Sequence, residues 1–179
     1  MIFPSDYSTP TLSEIARTLA GLRRWNNRTV VPWSVLQHSL AGASMVADEN
    51  PIRKIHFLAH DSEEALTGDI PKPYKTADMS ELGDGIREDI FVNVYRIPYP
   101  ESPSWEYLDE VMEIAEREVL LHPKRRKTFG GAVEIDVEDA VDAIWELLRV
   151  PEHLLIDKYI AQVNRLMASP QVRTLEGRI

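Results

Sequence analysis

Apolar residues along the chain recur every three to four positions, which predicts helices nearly throughout. The segment "TLSEIARTLAGL" opens with Thr11 and Glu14 in capping-box spacing and puts Leu12, Ile15, Ala16 and Leu19 on one face. A loop, "RRWNNRTVVP", follows. A second helix begins near Trp33 or Ser34, with Leu36, Leu40, Ala43 and Ala47 as its stripe and His38 in its second turn. Pro51 suits the first turn of a third helix, which runs through Ile52, Ile55 and Ala59 to about Thr67 and stops at Gly68. Two prolines make "DIPKPYK" a loop. Leu82, Ile86, Ile90 and Val94 mark a fourth helix, and Pro98, Pro100 and Pro103 then break the chain. Ser104 caps a fifth helix through Leu108, Val111, Met112, Ala115 and Val119, and "HPKRRKTFGG" is again a loop. Asp136 caps a sixth (Val141, Ile144, Trp145, Leu148), Pro151 starts a seventh (Leu155, Tyr159, Val163, Leu166), and the tail after Pro170 reads as frayed. Strand-like runs are too few and short for a sheet, and neither repeats nor a linker appear. The expectation is an all-α bundle of about six to eight helices in a single domain spanning residues 1–179.

Composition narrows the chemistry. With 179 residues and 44% apolar content the chain can build one real core. A formal charge of −9 disfavours nucleic acid as a partner but leaves room for a small anionic substrate, because local cations or a metal outweigh a global charge. There is no cysteine, so any metal must be held by His and carboxylate. The start "MIFPSDYSTP" lacks the features of a signal peptide, and no apolar run approaches the ~20 residues of a membrane span. A soluble, cytoplasmic protein is expected.

The third helix poses the central question. It is apolar around most of its circumference, yet His60, Asp61 and Glu64 cluster on one side. Acids and imidazoles turned inward from such a helix need a partner, and a divalent cation (manganese, cobalt, zinc, nickel, iron or magnesium) satisfies them. Adjacent His and Asp leave coordination positions for other helices. His38, among small and apolar neighbours, is the best candidate from the second helix. Asp109 is the best from the fifth, with Glu116 recurring two turns later on its face and Glu106 and Glu113 as competitors. His56 is read as structural or as backing the ligands, and His122 and His153 as surface residues. "KRRK" at residues 124–127 suits a helix C-terminus, where cations are favoured anyway.

"QHSL", "FLAHDSEEALTGDIPKPYK" and "LDEVMEIAERE" together resemble the HD-domain phosphohydrolases, in particular the small bacterial 5′-deoxynucleotidases and related phage nucleotide hydrolases. The likeness covers roughly residues 23–121. It implies one metal held by His38, His60, Asp61 and Asp109, proton transfer by Glu64, and Asp69 positioning water or phosphate. "RRW" matches the Arg-Trp pair such enzymes turn toward phosphate and sugar, so Arg24 and Trp25 take that role here, and Lys75 can add a cation. Ser62 and Glu63 depart from the pattern, standing where small apolar residues are more usual. The expected activity is hydrolysis of deoxynucleoside 5′-monophosphates, with a dNTP (dATP-type) triphosphohydrolase as the alternative and a homodimer or higher homo-oligomer as the implied assembly. A guanosine tetraphosphate hydrolase fits less well, because Ala65 follows Glu64 where those enzymes carry Asp. A helical interaction module keeping the metal as a staple is the rival from another class.

Overall fold

The computed structural model of the chain describes residues 8–70, 74–100, 105–121 and 137–176. These form helices α1 (Leu12–Gly21), α2 (Val35–Met45), α3 (Pro51–Ala59), α4 (Glu64–Thr67), α5 (Ala77–Asn93), α6 (Glu106–Glu116), α7 (Val137–Leu147), α8 (Glu152–Met167) and α9 (Pro170–Glu176). A short 3₁₀ turn, Arg24–Asn27, lies between α1 and α2, and a π turn, Arg117–Leu121, ends α6. Among the described residues there is no strand, only one antiparallel bridge between Arg23 and Ser34. The all-α expectation is met. Among the described residues no helix is long and apolar enough to cross a membrane.

Local chemistry sets several boundaries. The Thr11–Glu14 capping box forms, and a second box pairs Ser34 with Gln37 and starts α2 at Val35. Pro51 occupies the first turn of α3, capped by the Asn50 side chain. The expected caps Ser104 and Asp136 lie outside the described residues, as do Pro71, Pro73, Pro103, His122 and residues 124–127. His153 is exposed, as expected.

Helix α2 is the axis of the bundle. Every residue from Val35 to Ala43 is buried, and it packs against α1, α3, α6, α7 and α8. Gly42 lets α3 come close: a Cβ there would stand 2.1 Å from Phe57 Cε1. Helix α8 covers α1 and α3 from the other side, with Leu155, Tyr159, Val163 and Leu166 buried.

Four expectations need correction. Helix α2 ends at Met45, and Ala47 is exposed beyond it. Trp145, counted on the buried face of its helix, is 44% exposed. The tail after Pro170 is not frayed up to Glu176: α9 packs on α3 and α8, with Val172 buried. The third helix is not continuous to Thr67 but tightens after Ala59, and this correction shapes the site.

Candidate metal centre

The tightening follows from the hydrogen bonds. Ser62 N–H goes to Ala59 O (3.0 Å), Glu64 N–H to Asp61 O (3.1 Å) and Ala65 N–H to Ser62 O (3.2 Å). These are three-residue steps, the winding of a 3₁₀ turn, in which residues three apart eclipse. Asp61 and Glu64 are therefore stacked in line rather than splayed. Leu58 O receives the Tyr159 hydroxyl at 2.7 Å, and that hydroxyl also meets Tyr95 Oη at 2.6 Å. The aromatic core thus supports the turn from beneath.

His60 opens the turn with its ring directed inward. Its Nδ1 donates to Phe57 O (2.6 Å) and the ring leans on Phe57, centroids 4.5 Å apart. His38, fully buried in α2, donates from Nδ1 to Glu116 Oε1 at 2.7 Å. Both Nδ1 atoms being committed as donors, both Nε2 atoms face the same space, 3.3 Å apart. Two imidazole lone pairs this close repel unless a proton or a cation lies between them. Asp109 Oδ1 from α6 sits 3.1 Å from His38 Nε2 and 3.7 Å from His60 Nε2. His38, His60 and Asp109 each offer a ligand atom, all within 4.8 Å of one another, and the cluster can hold a metal ion.

The donor set fits such an ion. Atoms bonded to one cation at ~2.0–2.2 Å stand roughly 3.0–3.5 Å apart. The His38–His60 and His38–Asp109 separations fall in that range. Asp61 flanks the group, its Oδ2 3.3 Å from His60 Nε2 and 3.8 Å from His38 Nε2, while Arg24 Nη1 donates to the same oxygen at 3.2 Å. Each histidine is oriented through its other nitrogen, by a carboxylate or a backbone carbonyl, as metal-ligating histidines are.

Glu116 is the hub, and although it stands within the motif "LDEVMEIAERE" it was given no role from the sequence. It is fully buried and accepts from Trp33 Nε1 (2.7 Å) and His38 Nδ1 on one oxygen, and from Arg24 Nε (3.1 Å) and Trp25 Nε1 (3.0 Å) on the other. The only sequence signal was its recurrence two turns after Asp109. Arg24 is itself buried and spans Asp61 and Glu116, so its guanidinium is committed within the site. Trp25, Asn26 and Asn27 follow with φ of 59°, 51° and 56°. Asparagine tolerates this left-handed region, whereas a tryptophan there is strained. Its indole N–H on Glu116 and the Arg117 guanidinium 5.2 Å over its ring hold it in place.

Charge is distributed accordingly. Burial and Arg24 push the His38 imidazole down, but the Glu116 charge and hydrogen bonds with Asp109 and Glu116 outweigh them and hold it at about 9. Burial raises the Glu116 carboxyl, but the charges of Arg24 and His38 and the bonds from His38 and Trp33 lower it to about 2. Asp109 is likewise held well below the carboxylate range: its bonds to the two histidines and their charges override burial. Glu64 goes the other way, raised well above its ordinary value by burial and by the neighbouring charges of Asp61, Asp69 and Glu63. Its Oε2 is buried and makes no hydrogen bond among the described residues. Asp69 is also raised, chiefly by burial.

A cavity of about 460 Å³ opens over the cluster. Its wall includes His60 and Asp109 of the cluster, Asp61, Glu64 and Asp69, and Arg24, Trp25 and Lys75, so the structure brings all the expected site residues to one place, with His38 just beneath the floor. Glu63, Ile70, Arg87, Trp105, Glu106, Glu113 and Arg117 complete the wall and were not assigned roles from the sequence. A comparison with known family models and with curated proteins found no match to either.

Proposed function

We propose that the protein is a metal-dependent phosphohydrolase acting on nucleotides, with deoxynucleoside 5′-monophosphates as the leading substrates. The observation that carries this reading is the pair of buried imidazoles with facing Nε2 atoms, joined by Asp109 and flanked by Asp61, at the floor of a ligand-sized cavity. His38, His60, Asp109 and Asp61 would hold the ion. A divalent cation in that position would supply Lewis acidity toward a phosphoryl oxygen and make water acidic enough to attack at neutral pH.

The chain's own residues do the rest. Glu64, whose carboxyl is pushed toward its protonated form by burial and by the charges of Asp61, Asp69 and Glu63 and whose Oε2 is buried without a hydrogen bond among the described residues, donates a proton to the departing alkoxide of the sugar. The P–O ester bond breaks as water's oxygen bonds to phosphorus; one water proton stays on the phosphate and the other returns to Glu64, yielding a nucleoside and inorganic phosphate. Asp69, which lines the same cavity, orients the incoming water. Trp25 offers a flat face for the sugar, and Lys75 a cation for the phosphate.

The charge lining the cavity favours a monophosphate over a triphosphate. Carboxylates outnumber cations in the wall, and Arg24, Arg87 and Arg117 are already engaged by Asp61, Glu63 and Glu113. A triphosphate carries far more negative charge than such a wall neutralises.

A panel of nucleoside mono- and triphosphates assayed with manganese, cobalt, zinc and magnesium tests the reading. Release of inorganic phosphate from monophosphates is expected; release of tripolyphosphate would instead identify a dNTP triphosphohydrolase. Glu64→Gln should cut turnover by ~10²–10⁴-fold while leaving metal affinity and melting temperature nearly unchanged. Undiminished hydrolysis by that variant would remove Glu64 from the mechanism, and no hydrolysis by the wild type with any metal would leave an interaction module with a metal staple.

A further inference from the structure

Glu63 occupies the last position of the tight turn, one residue before Glu64, and is almost wholly buried. It meets Arg87 of α5 as a two-pronged pair: Arg87 Nε donates to Glu63 Oε2 at 2.9 Å, and Nη2 to Oε1. The same guanidinium donates from Nη1 to Asp84 Oδ1 (3.1 Å) and to Tyr99 Oη (3.3 Å). Gly83, one turn before Arg87, faces the same turn: a Cβ there would meet Glu63 Cγ at an ordinary contact distance of 3.7 Å. Arg87 is therefore fixed on several sides before it grips the turn.

A buried ion pair is a poor device for stability, because apolar residues of equal volume do as well or better. A planar fork does something an apolar contact cannot, which is to fix direction. The turn needs such a clamp, since three-residue hydrogen bonds are less well aligned than those of an α-helix. We propose that Glu63 and Arg87 form a positioning latch, by which α5 holds the turn at residues 60–63 in the register that presents His60 and Asp61 to the metal and Glu64 to the cavity. Neither residue touches the ion. The role in metal binding rests on the function proposed above.

Three variants test it: Glu63→Gln, Arg87→Lys, which keeps the charge and loses the fork, and Val163→Ala, a core truncation in α8 as a control for lost stability. Cobalt affinity is measured by calorimetric titration, and backbone amide exchange of residues 60–66 in the metal-free protein. The latch predicts about tenfold weaker cobalt binding in Glu63→Gln and Arg87→Lys, with faster exchange centred on residues 61–65. Val163→Ala should lower the melting temperature and leave cobalt affinity within twofold. Should Glu63→Gln fail to fold, Arg87→Lys carries the test. Latch variants that bind cobalt within twofold of wild type would overturn the proposal and leave the metal reading standing. A wild-type protein that binds no cobalt would overturn the metal reading instead; unchanged exchange in the variants would then overturn the latch as well.

Discussion

Replacing Glu116 by Gln is the most searching perturbation of this site. The substitution keeps the shape and removes one charge and one acceptor. Trp33 Nε1 and His38 Nδ1 share Oε1, while Arg24 Nε and Trp25 Nε1 share Oε2. A glutamine offers a carbonyl to one pair and must point its NH₂ at the other, so two donors lose their acceptor in either orientation. The carboxyl is held at about 2 against an ordinary 4.5, which corresponds to about 3 kcal/mol of stability above pH 4.5, lost as pH falls from 4.5 toward 2. Arg24 loses one of its two counter-charges and keeps Asp61, so the ~3–5 kcal/mol of a fully broken buried pair is an upper bound. For a chain of this length about 3 kcal/mol corresponds to a fall in melting temperature of roughly 6–12 °C. Metal binding should suffer separately. Without a carboxylate on Nδ1, His38 is no longer held in the tautomer that leaves Nε2 free, and affinity should drop about 10–100-fold. Urea unfolding of the metal-free protein at pH 7 measures the first effect, and manganese or cobalt titration the second. A variant destabilised by less than about 1 kcal/mol, with metal affinity within twofold of wild type, would refute the role of Glu116 as the hub.

Three further outcomes are expected. Gly42→Ala should destabilise by about 1–3 kcal/mol and weaken metal binding, because its Cβ must displace the Phe57 ring on which His60 leans; unchanged unfolding would show that α2 and α3 can separate freely. Since His38 holds a proton up to about pH 9, loading the metal must release it, and affinity for manganese should rise about tenfold per pH unit from 6.5 to 8.5, whereas a flat profile would mean His38 is not a ligand. Burial lowers the His56 imidazole from 6.5 to about 4, against Phe91 and Trp105. The folded protein keeps it neutral while the unfolded chain takes up a proton, so its contribution is complete above pH 6.5. About 3 kcal/mol of stability is then lost as pH falls to 4, and His56→Phe should lose correspondingly less over that window when both proteins are unfolded in urea.

Much of this site was legible as an inventory. Helical periodicity and capping boxes are local properties, so α1 and α2 could be bounded within a residue or two at their starts, and His38, His60, Asp61, Glu64 and Asp109 stood out as polar groups on apolar faces. The break after Ala59 was not legible. Its three-residue hydrogen bonds are sustained from outside, by Tyr159 on Leu58 O and by Arg87 on Glu63, partners some 100 and 24 residues away in the chain.

The sequence alone determined that the chain is helical and that any metal it holds must be held by His and carboxylate, since there is no thiolate. These follow from spacing and residue type, which need no knowledge of neighbours. Only the tertiary structure decided which of many acids matter. Glu116 resembles every other glutamate on its helix until Arg24, Trp25, Trp33 and His38 converge on it, and Arg24 becomes an internal strut between two carboxylates. Electrostatic roles are set by distance and burial, and in a folded chain both are fixed by contacts between residues far apart in sequence.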